Sequence, residues 1–390
     1  MPDLVVRDAR VFFHQYGSSP CIGALTGAEG AWLIDDRGNR LLDLHGNTAH
    51  HIGYAHPRLI AALKLQLSNL VFSPRRYANE PATLLAETLT ARFRGGRSKL
   101  LLATGGSDAI EMAMRLARIT TGRTAIIALE GAYHGHGFGA LALSTAHADP
   151  RLGPSPPDIH HIAPYWLGPD RMLAELEQAL RKGVAALVAE PIRSNCVVPP
   201  ADLWPQAAAL CTRYGAKLIF DEIPSGLGKT GRFFAHAHFD VTPDMVVLGK
   251  ALGGGILPIA ALLADDAMDI APELAIGHYT HEKNPVTARA ALTTLEIIDD
   301  EGLVAHAARL GAYAAQRVAT NAAFIGLRGL GLLRALEFPG PIAETLSAAV
   351  APLGVSTVAK DASSVGFSPP MNISEAEIDF ALDRLTRAVV

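Results

Sequence analysis

Hydrophobic and polar positions along this chain follow two rhythms. Short apolar runs at Lys99 to Ala103, Thr124 to Leu129, Ala185 to Ala189, Lys217 to Phe220, Met245 to Gly249 and Ile259 to Ala264 read as strands buried on both faces. Between several of them apolar residues return at helical spacing, at Ala109 to Thr120, Pro169 to Arg181 and Leu203 to Tyr214. Such alternation builds βαβ units, so the pattern predicts an α/β protein with a mostly parallel central sheet between layers of helices.

The flanking regions have other patterns. In "GAWLIDDRGNRLLDLHGN" apolar runs flank the turn signal Asp35 to Asn39, which predicts a β-hairpin. Helices are expected from Pro57 and after Pro81. Towards the C-terminus, helices near Ala288 to Asp299, Leu303 to Ala319 and Glu375 to Val389, with a strand near Leu332 to Phe338, read as a smaller α+β lobe. The expected organisation is residues 1–55 as the N-terminal segment of a small domain, 56–290 as a large domain and 291–390 as the C-terminal part of the small one.

Composition narrows the function classes. With 390 residues, 49% of them hydrophobic and 18% charged, the chain can bury a large core and is not disordered. Its 34 basic residues against 38 acidic ones give a net charge of −4 with no basic block, which argues against a nucleic-acid partner. The runs Val184 to Ala189 and Ile256 to Ala264 are too short to span a bilayer, and the charges at Asp3, Arg7, Asp8 and Arg10 do not suit a signal peptide. The expected location is therefore the cytoplasm, with no membrane partner. Cys21, Cys196 and Cys211 lack the spacing of a disulfide framework or zinc cage and are expected to be reduced thiols.

Three segments carry chemistry. In "LLLATGGSDAIEMAMRLAR" a strand runs through Gly105, Gly106 and Ser107 into a helix, a junction suited to binding an anion; a glycine turn capped by Asp108 is the alternative. In "KLIFDEIPSGLGKTG" an apolar strand delivers Asp221 and Glu222 to the carboxyl end of a parallel sheet, where ligands bind and a buried carboxylate needs a cationic partner. In "PDMVVLGKALGGG" Lys250 ends an apolar strand, either as a snorkelling stem or as an amine held in a dry pocket. ATP and dinucleotide sites fail on spacing: the first P-loop glycine would fall at Ile223, and "GLRGLGLL" has Arg334 where a third glycine is required. A phosphorylated cofactor such as pyridoxal 5'-phosphate (PLP) remains.

Taken together these segments resemble the class III aminotransferase family of fold type I PLP-dependent enzymes, from about Gly30 to Ala388. The order "GGSDA", "YHG", "EPI", "FDE…GLGKTG", "GKALGGG", "NP" and the 250 − 221 = 29 positions between aspartate and lysine follow that family. The resemblance implies a large PLP-binding domain and a small domain built from both termini. It makes Lys250 the Schiff-base lysine, pairs Asp221 with the ring nitrogen, stacks Tyr133 on the ring and gives the phosphate to Gly106 and Ser107. Ile223 and Glu190 are expected against the cofactor, a structural ion pair being the alternative for Glu190. Thr280, in "YTHEKNP", is expected to reach the phosphate of a neighbouring subunit, which implies a homodimer with shared active sites.

Two departures bear on substrate. Pro224 stands where the family usually places a glutamine, and Gly366 where many members carry an arginine before "F-x-P-P". Arg75 and Arg76 are candidates for binding an anionic substrate group, solvated loop arginines being the alternative, and His281 with Lys283 for contacting substrate across the interface. His45, His50, His51 and His56 match no metal motif, so no metal is expected, and they are read as pocket-wall or turn residues. The resulting expectation is a transaminase moving an amino group between a small amino compound and an oxo acid. The alternative is a lyase or decarboxylase of the same family, such as an ammonia-lyase acting on a hydroxylated aminophosphonate or an enzyme similar to dialkylglycine decarboxylase.

Overall fold

The computed structural model describes residues 3–147 and 149–389. Its centre is a seven-stranded sheet of β1 (Ser98–Ala103), β2 (Ile126–Leu129), β3 (Ile159–Ile162), β4 (Ala186–Ala189), β5 (Lys217–Asp221), β6 (Met245–Leu248) and β7 (Ala260–Asp265), in the order β1-β7-β6-β5-β4-β2-β3. The β6-β5-β4-β2-β3 pairings are parallel, whereas β7 runs antiparallel to both β1 and β6. Every residue of β2, β4 and β6 is buried, as the uninterrupted apolar runs required. β3 was missed in the sequence because it carries His160 and His161; as an edge strand paired only with β2, it tolerates them.

Helices cover both faces. Gly106–Thr121 lays Ile110, Met112, Ala113, Leu116 and Ala117 on the sheet and ends at Gly122, whose φ of 67° supplies the left-handed cap. Leu203–Tyr214 ends the same way at Gly215 and buries Trp204, whose indole N–H donates to the Pro191 carbonyl at 2.9 Å. The hairpin Trp32–Asp35 with Arg40–Asp43 forms around the expected turn, and Asp35 accepts the backbone N–H groups of Arg37 and Asn39.

The ends of the chain meet. Val355–Ser356 pairs parallel with Arg40–Asp43, so a C-terminal strand completes the N-terminal sheet. A separate sheet joins Gly326–Leu330, Leu333–Glu337, Ser364–Phe367 and Ala359–Asp361. The helices Leu303–Ala319 and Glu375–Val389 have the expected bounds. Among the described residues no helix is long and apolar enough to cross a membrane.

Candidate active site

Loops leaving the carboxyl ends of β1, β2, β4, β5 and β6 converge on one cavity of about 160 Å³. It is lined by Gly106 and Ser107 after β1, Tyr133, His134 and Gly135 after β2, Glu190 and Ser194 after β4, Asp221, Ile223 and Pro224 at β5, and Lys250 after β6. Ligand sites in parallel sheets occupy this position because helix N-termini and strand carboxyl ends face each other there.

The β1 junction is built for close approach. A Cβ on Gly106 would lie 2.6 Å from Ile223 Cδ1 and would have to displace it, and one on Gly135 would lie 2.2 Å from Ser107 Oγ and 3.1 Å from its Cα, so position 135 excludes a side chain. Ser107 Oγ accepts the backbone N–H of His136 at 3.0 Å, which ties the loop after β2 to the helix N-terminus. Asp108, the rival cap, pairs instead with the Thr104 hydroxyl at 2.6 Å.

Asp221 is buried at the end of β5. One carboxylate oxygen lies 2.8 Å from His134 Nδ1 and the other accepts the Ile223 N–H at 3.0 Å. His134 Nε2 is buried and has no hydrogen-bond partner among the described residues. Tyr133 stands beside this pair, its hydroxyl proton held more tightly through burial and the Asp221 charge.

Lys250 has a φ of 45°, in the left-handed region that a lysine adopts at a cost of about 1–3 kcal/mol. In the single chain Lys250 is exposed by surface area, and it lines the cavity. Desolvation by the protein around the amine lowers its affinity for a proton, opposed by the charges of Asp221 and Glu190. Glu190 accepts the Ser194 N–H at 3.0 Å through one oxygen, while the other, 3.9 Å from Arg193 Nε, lacks a hydrogen-bond partner.

Thr280, His281, Arg75 and Arg76 lie outside this cavity. All four are exposed; Arg75 and Arg76 line a surface depression with His278 and Lys283, and His281 packs its ring edge on Phe72 at 5.5 Å. In the histidine-rich stretch His51 Nε2 lies 3.2 Å from the Gly226 carbonyl and His50 lies beside Asp43, both rings buried. Neither these two nor His56, on Glu301, lines the cavity. Sequence reasoning missed His134 and Ser194: a histidine in "YHG" and a serine after "EPI" carry no spacing signal of their own.

A class III aminotransferase model matches residues 14–389, nearly the whole chain. The chain belongs to the class III aminotransferase family. Acetylornithine aminotransferase of Mycobacterium leprae is 35% identical over 378 residues, covering 95% of this chain and 91% of that one. The (R)-1-hydroxy-2-aminoethylphosphonate ammonia-lyase of Vibrio splendidus is 33% identical over 428 residues, covering 99% and 89%. Among solved structures, a thermostable (S)-enantioselective omega-transaminase from Thermomicrobium roseum superposes with a TM-score of 0.89 at 28% identity, covering 99% and 97%.

This class III aminotransferase is a fold type I, PLP-dependent enzyme. The cavity fits that cofactor. A side-chain-free helix N-terminus with a serine hydroxyl suits a phosphate, a buried carboxylate suits a protonated ring nitrogen, and a lysine lining the same cavity suits an aldehyde.

Proposed function

We propose that the cavity at the carboxyl ends of β1, β2, β4, β5 and β6 is the reaction site and that Lys250 and Asp221 are its catalytic residues. Gly106 and Ser107 would hold the cofactor phosphate, Tyr133 and Ile223 would wall the ring, and Glu190 would lie at its edge. Bound there, the cofactor supplies a sink for the electrons released when a bond at the substrate carbon breaks. Asp221 would keep a proton on the ring nitrogen, and the hydrogen bond from His134 fixes the carboxylate for that contact. Lys250 Nζ, its proton affinity lowered by desolvation, would take the proton from the substrate carbon and deliver it two bonds away, on the far side of the nitrogen.

The observation that carries this reading is the meeting of Asp221, Lys250 and Ser107 in one cavity although 143 positions separate Ser107 from Lys250 (250 − 107). The reaction we assign is transamination between a small amino compound and an oxo acid. Borohydride reduction of the PLP-loaded protein followed by peptide mapping tests the site. A label on Lys250 supports it, and a label on Lys229 or Lys360, or none, overturns it.

A specific observation favours a second reading, elimination of ammonia. The relative whose alignment covers 99% of the chain is named for that reaction, and the cavity wall includes Pro224, which offers no side-chain donor. Steady release of ammonia without an oxo acid would select it.

The assembly we propose is a homodimer in the cytoplasm. Val71, Phe72, Tyr77 and Leu274 are exposed around the segment that holds Thr280, an apolar surface that a second copy would cover while bringing Thr280 to the neighbouring site. Arg75, Arg76 and His281 would then lie at that interface. The division into residues 1–55, 56–290 and 291–390 belongs to the same proposal.

A further inference from the structure

Lys360 occupies a position that neither the fold nor the chemistry above explains. It lies in the strand Ala359–Asp361, whose pairing with Ser364–Phe367 slips there: Ala359 faces Val365 and Asp361 faces Ser364, leaving Lys360 as the extra residue of a bulge. Bulges redirect a side chain out of the regular alternation of a strand. Here the side chain passes over Gly366, where a Cβ would lie 3.2 Å from Lys360 Cε. Glycine at 366 leaves room for the lysine stem.

The stem carries the amine to the edge of the reaction cavity. Lys360 Nζ donates to the carbonyl of Ser194 at 3.2 Å, and Ser194 lines that cavity. No carboxylate lies within 4.0 Å of the Lys360 amine among the described residues, unlike Arg328, which pairs with Glu337 and Asp361 in the same sheet. Asp221 is engaged with His134 and Ile223, and Glu190 takes the Ser194 N–H through one oxygen. The Lys360 charge bears on Lys250, making it harder to protonate.

We propose that Lys360 is a substrate-binding residue whose ammonium holds the carboxylate or phosphonate of an anionic amino substrate. An ammonium on one backbone carbonyl has two N–H donors left, and an anion entering the cavity would receive both charge and hydrogen bonds. The substrate class that follows is a small amino acid or aminophosphonate rather than a neutral amine. The inference rests on the reading of this cavity as the reaction site.

Titration calorimetry of the PLP-loaded enzyme with succinate and with methylphosphonate tests it. Neither probe has an amino group, so the result does not depend on whether transamination or elimination follows. A failure of the site assignment itself appears in the borohydride map instead. The expected result is that Lys360→Gln, which keeps a donor for the Ser194 carbonyl but loses the charge, weakens the tighter-binding probe at least tenfold. Lys360→Met should do the same, and Lys360→Arg should retain most of the affinity. Preference for succinate would assign the carboxylate class, and preference for methylphosphonate the phosphonate class. The proposal is overturned if the wild type binds neither probe, if Lys360→Gln binds both as the wild type does, or if replacing Arg75 and Arg76 by alanine removes binding while Lys360→Gln retains it.

Discussion

Replacing Asp221 by asparagine removes one charge and almost no volume. In the native site His134 Nδ1 lies 2.8 Å from one carboxylate oxygen and the Ile223 N–H donates to the other at 3.0 Å. An asparagine cannot accept both bonds. If its oxygen keeps the Ile223 N–H, its NH₂ faces His134 Nδ1, and the ring must move its proton to Nε2, which is buried without a partner. If the amide is turned, its NH₂ meets the Ile223 N–H donor to donor. Either arrangement leaves one buried donor unmatched, at about 1–3 kcal/mol. The loss at the reaction is larger. Opposite charges about 4 Å apart at an effective dielectric constant near 20 attract by about 4 kcal/mol. Losing that attraction as charge develops on the ring corresponds to roughly a thousandfold in rate. Asp221→Asn should therefore fold, melt a few degrees lower and lose about 10²–10⁴-fold in kcat at saturating PLP. Single-turnover rates, with circular dichroism to confirm folding, provide the assay. A folded variant that retained kcat within about threefold of the wild type would refute the role given to Asp221.

Other outcomes follow from the same geometry. Lys229 is fully buried against the Ser368 and Pro369 carbonyls, and burial pushes its amine down to about 7. Between that pH and 10.5 the unfolded chain holds a proton that the folded chain has released, so this group makes stability rise with pH across the window. Denaturation of Lys229→Met over that range should show a shallower rise, and an unchanged slope would contradict the assignment. Gly106→Ala places a methyl 2.6 Å from Ile223 Cδ1 and should push that side chain into the cavity, weakening PLP binding at least tenfold in equilibrium dialysis. Trp204→Ala empties a fully buried site and strands the Pro191 carbonyl, so chemical denaturation should show a loss of about 3–5 kcal/mol.

Much of the central sheet was legible because its strands are buried on both faces. A run such as "ALVA" or "MVVL" has little alternative to a parallel core strand, and glycines at 122 and 215 mark the ends of two helices. The antiparallel course of β7 was not legible, since strand direction is set by how the chain crosses the sheet rather than by side-chain periodicity. The junctions that meet in the cavity could be read from strand ends followed by Ser107, Asp221 or Lys250. His134 and Ser194 could not, because each acts through a neighbour that only the fold supplies. Arg75 and Arg76 attracted attention as the conspicuous guanidinium pair, yet within one chain they line the surface depression near His278, whereas the less conspicuous Lys360 reaches the cavity edge from a bulge that sequence pattern does not reveal.

The most direct test of transamination at this site is the half-reaction. The PLP-loaded enzyme is mixed with a panel of amino acids, amines and aminophosphonates in the absence of an oxo acid. Absorbance, carbonyl product, free ammonia and carbon dioxide are followed together. One equivalent of carbonyl product per site, with the cofactor left in its amine form until an oxo acid restores it, is the predicted result. Ammonia or carbon dioxide released over many turnovers, with the starting spectrum returning unaided, would contradict it and assign a lyase or decarboxylase to the same residues.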